Sequence, residues 1–241
     1  MLIPRSLSAF RASAVALVLS ASALTTAAVI VLVPTRASAN GPGRGLTEQF
    51  EIDYLKFIIG HHFSALRMTE YVVGTQTTFG AAISPDDGVQ PAPGDFPSTS
   101  AKGTLPELKE LARRNNHMQR EEILAAQGFL KRYYGIDFQP SYMPEDLEVF
   151  KALEAAASGD EFNKAFMRFF SRHHFIASKR SVNCLVASEL KHKDVERYCR
   201  NIVNSQISDI DEMRELLCKN YKICDYQPLG DLNGQDSQDN P

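Results

Sequence analysis

Phe50-Glu51-Ile52-Asp53-Tyr54-Leu55-Lys56-Phe57-Ile58-Ile59-Gly60-His61-His62-Phe63 and Phe162-Asn163-Lys164-Ala165-Phe166-Met167-Arg168-Phe169-Phe170-Ser171-Arg172-His173-His174-Phe175 are two stretches written in one frame. Each closes on His-His-Phe, with Phe eleven residues before the first His and an aromatic residue seven before it. These pairs use four of the chain's six histidines. A second pattern also recurs downstream of each pair, as Gln119-Arg120-Glu121-Glu122-Ile123 and as Gln206-Ile207-Ser208-Asp209-Ile210. One unit has been duplicated, and chemistry is to be sought where the repeated imidazoles and carboxylates meet.

Around the first pair, Phe50, Tyr54, Phe57, His61, Ala65, Met68 and Val72 fall at alternating spacings of three and four. That is one stripe of a helix facing a core, and it predicts a helix over 48–73 with Thr47 as N-cap. Residues 74–104 break the pattern with turn signals at Pro85-Asp86-Asp87-Gly88 and Pro91-Ala92-Pro93-Gly94. His62 and Gln119 are 57 positions apart but His174 and Gln206 only 32, and the 25-residue excess is about the length of this insertion.

Residues 105–133 return to helix, with Pro106 in the first turn, Gly135 as the stop, and Leu108, Leu111, Asn115, Met118, Glu122 and Ala125 on one face. Pro144 opens a short helix to about Ala157, and Gly159-Asp160 ends it and caps the next. Residues 161–186 and 193–219 form the second long pair. No strand-like alternation competes. The expected fold class is all-α: a four-helix bundle made from a duplicated helix hairpin with a short connecting helix. The bundle is placed at 47–224, with repeat 1 at 47–135 and repeat 2 at 160–224, packed about a pseudo-twofold axis.

The first 39 residues read as a signal peptide. Arg5 and Arg11 precede an uncharged stretch from Ala12 to Val33, and Ala37-Ser38-Ala39 offers a peptidase site. The expected location is secreted or periplasmic, and the alternative is a retained N-terminal membrane anchor. Residues 40–46 are a Gly/Pro spacer, and the Asp/Asn/Gln-rich tail 225–241 is expected to be disordered. Removal of 1–39 takes away three Arg and no acid, leaving 23 basic and 29 acidic residues and a charge of −6. That balance argues against a nucleic-acid partner. After cleavage no membrane partner is expected, and a protein partner is not identified. Cys184, Cys199, Cys218 and Cys224 are even in number, which in an exported chain suggests disulfides. Three connectivities are possible, and Cys184–Cys199 with Cys218–Cys224 is the favoured one.

The two motifs together resemble the family called domain of unknown function 305. Its pattern runs aromatic-hydrophobic-x-x-hydrophobic-x-x-His-His, then a Met some six residues on, then Gln-x-x-Glu-Ile on the next helix. Phe50 to Met68 with Gln119 to Ile123 match it once, and Phe162 to His174 with Gln206 to Ile210 match it again. The resemblance covers nearly all of 46–219 and implies a ferritin-like four-helix architecture, export and an association with copper. Departures from the pattern are Gly60 and Arg172 where Pro is common, Phe63 and Phe175 where Gln is common, Arg180 as the counterpart of Met68, and Asp209 as the shorter counterpart of Glu122.

Neighbouring residues on a helix point about 100° apart, so one imidazole of each pair can face the bundle interior and the other a neighbouring helix. Gln119 and Glu122, like Gln206 and Asp209, are three apart and share a face. A metal site built from His61, His62, Met68 and Glu122, with a poorer copy at His173, His174 and Asp209, is one reading. Imidazole suits copper, zinc, nickel or iron, and the Met68 thioether favours Cu(I). Copper is therefore the expected ion, bound rather than used in catalysis. The competing reading is a structural or interaction module whose His/Gln/carboxylate network is satisfied by hydrogen bonds alone and takes no metal. A di-iron oxidase needs Glu-x-x-His on two helices, and the chain offers only Glu189-Leu190-Lys191-His192 in a loop. Ser64 and Ser181 lack a nucleophile elbow, and no Gly-rich phosphate loop is present.

Overall fold

The apolar periodicity becomes four long helices and one short one among the described residues: α1 (Glu48–Val73), α2 (Pro106–Tyr134), α3 (Asp146–Ala155), α4 (Asp160–Val186) and α5 (Lys193–Tyr221). The computed structural model describes residues 48–75, 98–186 and 190–225. The expected signal peptide, the spacer and N-cap Thr47, most of the 74–104 insertion, Glu189 and nearly all of the tail lie outside these residues. The expected all-α bundle is what forms. α1 and α2 make one hairpin, α4 and α5 the other, and the hairpins meet chiefly along α1 and α4 while α3 packs on both of those helices.

Local chemistry sets the helix ends. Pro106 sits in the first turn of α2, where its missing N–H is harmless. At the other end Gly135 takes a left-handed φ of 68°, and the N–H groups of Gly135 and Ile136 donate to Lys131 and Leu130 carbonyls. α5 closes the same way on Lys222, with φ 61°, and the Cys218–Cys224 disulfide spans that turn. The other expected bridge is not formed: Cys184 and Cys199 are buried thiols, in contact across the α4–α5 hairpin. The hairpin register brings the two positions together as anticipated, but the covalent bond is absent.

Burial departs from the expected stripes in two places. On α1 every residue from Ile58 to Val73 is buried, not one face alone. α1 is the central helix, flanked by α2, α3 and α4, and residues 101–103 close over its C-terminal end. It even buries an ion pair, Arg67 Nη1 to Glu70 Oε2 at 2.7 Å. On α2 the buried line runs through Leu108, Leu111, Asn115, Gln119, Ile123, Ala126 and Leu130, which leaves Met118, Glu122 and Ala125 on its flank. The buried line includes Asn115, whose Oδ1 meets His174 Nε2 of α4 at 2.9 Å.

The ends of the 74–104 insertion are built into the fold. Thr75 and Thr99 are joined by a backbone hydrogen bond of 2.9 Å, and Lys102 and Gly103 donate to Tyr71 and Val72 carbonyls. The chain approaches α1 so closely here that a Cβ on Gly103 would lie 2.7 Å from Val72 Cγ1. The Lys102 ammonium donates to the Leu153 and Ala156 carbonyls at 3.0 and 2.8 Å, capping the C-terminus of α3.

Two apolar clusters result. One gathers Leu55, Ile58, Phe63, Leu66, Ile123, Leu130 and Ile202; the other gathers Met68, Val72, Leu111, Phe162, Phe166, Phe170 and Met213. Both pairs of histidines are buried alongside them.

Candidate metal centre

The first imidazole of each pair faces the other hairpin. His61 on α1 and His173 on α4 stack with centroids 3.6 Å apart and planes 4° from parallel. Each ring reaches the other's backbone: His61 Nε2 lies 3.0 Å from the His173 carbonyl, and His173 Nε2 lies 3.1 Å from the His61 carbonyl. A carbonyl only accepts, so both Nε2 atoms carry hydrogen. In the neutral ring that leaves both Nδ1 atoms with a lone pair.

The connector brings a carboxylate to this pair. Asp146, the first residue of α3, places Oδ1 3.4 Å from His173 Nδ1. Neither His173 Nδ1 nor Asp146 Oδ2 has a hydrogen-bond partner, and both are buried. The oxygen facing Nδ1 is Oδ1 and the orphan is its sister on the same carboxylate; a ring lone pair set against a buried carboxylate calls for a cation, either a proton or a metal ion. Donor atoms of His61, Asp146 and His173 lie within 4.8 Å of one another. Tetrahedral coordination at about 2.0–2.1 Å sets ligand atoms roughly 3.3 Å apart, so a modest closing movement would complete the geometry. Burial, with the nearby His173 and His62 rings, pushes the His61 pKa well below its usual value, which keeps this imidazole neutral and able to ligate.

The second imidazole of each pair turns to the following helix. His62 Nε2 lies 3.0 Å from Glu122 Oε2 on α2. His174 Nε2 lies 2.9 Å from Asn115 Oδ1 on α2 and 3.5 Å from Asp209 Oδ2 on α5. Gln119 donates to the same Asn115 oxygen at 3.2 Å. Burial lowers the His174 pKa, opposed by Asp209. Burial also works to raise the Asp209 pKa, but His174 and Arg114 outweigh it and hold this carboxyl below its usual range. With His174 neutral, Arg114 is the lasting cation here, at 3.2 Å from Asp209 and 2.6 Å from Glu212.

Of the residues singled out in the sequence, the structure thus brings together His61 with His173, His62 with Glu122, and His174 with Asp209. Met68 is buried as a member of the apolar cluster that also holds Tyr71, Phe162 and Phe166, and it takes no part in the imidazole–carboxylate contacts described above. The sequence reading missed Asp146, which reads as an ordinary acidic first-turn residue of a short helix. It also missed the side chain of Asn115, counted only as a member of a stripe. His117 is exposed. His192 pairs with Glu51 at 2.7 Å and stacks on Tyr133. Ser64 accepts the Met143 N–H and Ser181 bonds to Tyr54, so neither hydroxyl is held by a histidine among these bonds.

Fold and site define an all-α bundle of two like hairpins with a buried imidazole–carboxylate layer. The chain belongs to the family described as Domain of unknown function (DUF305), whose profile matches residues 98–217. The matched span takes in α2, α3, α4 and most of α5, and leaves α1 with His61 and His62 outside it. Among solved structures, CopM in the Cu(I)-bound form is similar at 19% identity over 71% of this chain and 97% of that one, with a TM-score of 0.52. CopM in the Cu(II)-bound form is similar at 18% identity over 71% and 97% of the two chains, with a TM-score of 0.51. A DUF305 fragment from Deinococcus radiodurans is similar at 20% identity over 73% and 99%, with a TM-score of 0.50. At these identities the likeness shows the helical fold. No curated protein matches the chain.

Proposed function

We propose that this protein binds a copper ion between its two halves, as a carrier or buffer outside the cytoplasm and not as an enzyme. His61, His173 and Asp146 are the direct ligands. His62 with Glu122, and His174 with Asp209, form the buried layer behind them that fixes the helices. One observation carries the reading: His173 Nδ1 faces the Asp146 carboxylate in a buried place, with both Nε2 hydrogens already committed to backbone carbonyls. The donor set of imidazole with carboxylate suits copper or zinc. CopM, which shares the fold, has structures holding Cu(I) and Cu(II), and this supports copper. The secreted or periplasmic location rests on the signal-like residues 1–39. No helix among the described residues is long and apolar enough to cross a membrane.

The test is metal content of protein purified without added metal, followed by titration of the metal-free protein with Cu(I) and Cu(II). The His61→Ala/His173→Ala double variant is expected to weaken binding by about 100-fold or more, as loss of two ligands should. Equal affinity in both proteins would end the assignment.

A second reading has its own support. The reciprocal imidazole–carbonyl bonds and the ring stack already satisfy much of the pair, so the clasp can serve as a register device between hairpins. In that case no copper is bound and the double variant is only less stable.

A further inference from the structure

The connector carries a sulfur three residues before its carboxylate. Met143 and Asp146 lie on one turn, with the Asp146 N–H donating to the Met143 carbonyl at 3.0 Å. Two contacts pin the turn to α1: the Met143 N–H donates to Ser64 Oγ at 3.0 Å, and Tyr142 packs on Phe63 with centroids 4.7 Å apart. Gly60 makes the approach possible. A Cβ there would lie 3.0 Å from Met143 Sδ and 3.2 Å from the Ser141 carbonyl. The sulfur therefore rests against the α1 backbone at the residue immediately before His61. Three residues further along the connector, Asp146 faces His173.

We propose that Met143 gives its thioether to the ion held by His61, His173 and Asp146, so that the site favours soft monovalent ions, Cu(I) and Ag(I), over Cu(II) and Zn(II). This rests on the metal-binding reading above. Met143 is half-buried, and its unbranched side chain can swing its sulfur without moving the backbone. Thioether sulfur ranks with the soft ligands that select Cu(I), whereas imidazole and carboxylate alone also serve the divalent ions. The sequence pattern points instead to Met68, but that residue is enclosed among aromatic and aliphatic side chains, and its counterpart in the second repeat is Arg180. The soft ligand thus comes from the linker between the repeats and belongs to neither copy of the motif.

The experiment compares wild-type protein with Met143→Leu and Met68→Leu. Cu(I) is measured by competition with a chromophoric Cu(I) chelator under reducing, oxygen-free conditions, and Cu(II) and Zn(II) by calorimetry. Leu conserves the volume of Met, so both variants should fold, which melting curves check. Met143→Leu is expected to weaken Cu(I) by about tenfold or more while Cu(II) and Zn(II) stay within about twofold. Met68→Leu should leave all three ions within the same margin. X-ray absorption of the Cu(I) form should show a sulfur neighbour that Met143→Leu removes. Unchanged Cu(I) affinity in Met143→Leu, equal loss of all three ions, or a sulfur signal that disappears only in Met68→Leu would overturn the role of Met143 and leave the histidine site standing. A wild-type protein that takes up none of the three ions ends both proposals.

Discussion

His62 and His174 occupy the same place in two copies of one motif, yet they are held differently. His62 leans on Glu122 alone, a carboxylate of its own hairpin on the flank of α2. His174 is held by Asn115 from the other hairpin and by Asp209 from its own, with Arg114 behind the carboxylate. The repeat-equivalent of Asn115 is Ile202, so the second half has no comparable amide to offer back to His62. The difference shows what duplication allows. Once both copies lie in one chain, a polar contact made twice by symmetry can be strengthened on one side and replaced by hydrocarbon on the other.

This asymmetry can be broken deliberately. Asn115→Ala should have the largest effect, because it leaves His174 and Gln119 without their shared acceptor in a fully buried place; a loss of about 2–3 kcal/mol is expected in urea unfolding. Asp209→Ala should cost less, about 1–2 kcal/mol, since His174 keeps Asn115 and Arg114 keeps Glu212. Glu122→Ala should cost about 1 kcal/mol, as the carboxylate is partly open to water, and a loss above that of Asn115→Ala would invert the comparison.

The smallest effect is a pH dependence. The folded pKa values of His61 and His174 lie below the ordinary 6.5, so the unfolded chain binds more protons as pH falls through that value. Stability from these rings is complete above pH 6.5 and declines below it. Asp209, with its folded pKa lowered, adds a loss only at acid pH, below the usual carboxylate value of 3.8. Melting temperature should therefore drop between pH 7 and 5.5, and His174→Gln should flatten part of that slope. A flat profile in the wild type would mean that the buried rings take up protons over the same pH range as in the unfolded chain.

The helices were legible in the sequence because each carries its own periodicity and its own stop, as Pro106 and Gly135 show for α2. That Glu122 and Asp209 come within reach of the imidazoles of their own hairpins was legible too, from antiparallel packing of adjacent helices, but which imidazole of each pair they meet was not. What the sequence withheld depends on how the hairpins cross. The stack of His61 on His173, the arrival of Asp146 from α3 and the enclosure of α1 on all sides are tertiary facts with no local signature. Met68 shows the hazard in the other direction. It matches a motif, but its side chain is buried as part of an apolar cluster with Tyr71, Phe162 and Phe166.

The exchange of ring-to-backbone bonds between His61 and His173 has the form of an isologous contact, in which each partner offers the other the same group. A chain containing a single hairpin could make it only by meeting a second copy of itself around a true dyad. Fusion into one polypeptide converts that encounter from a concentration-dependent step into an intramolecular one, and it frees the joining segment to acquire duties that neither parent could perform.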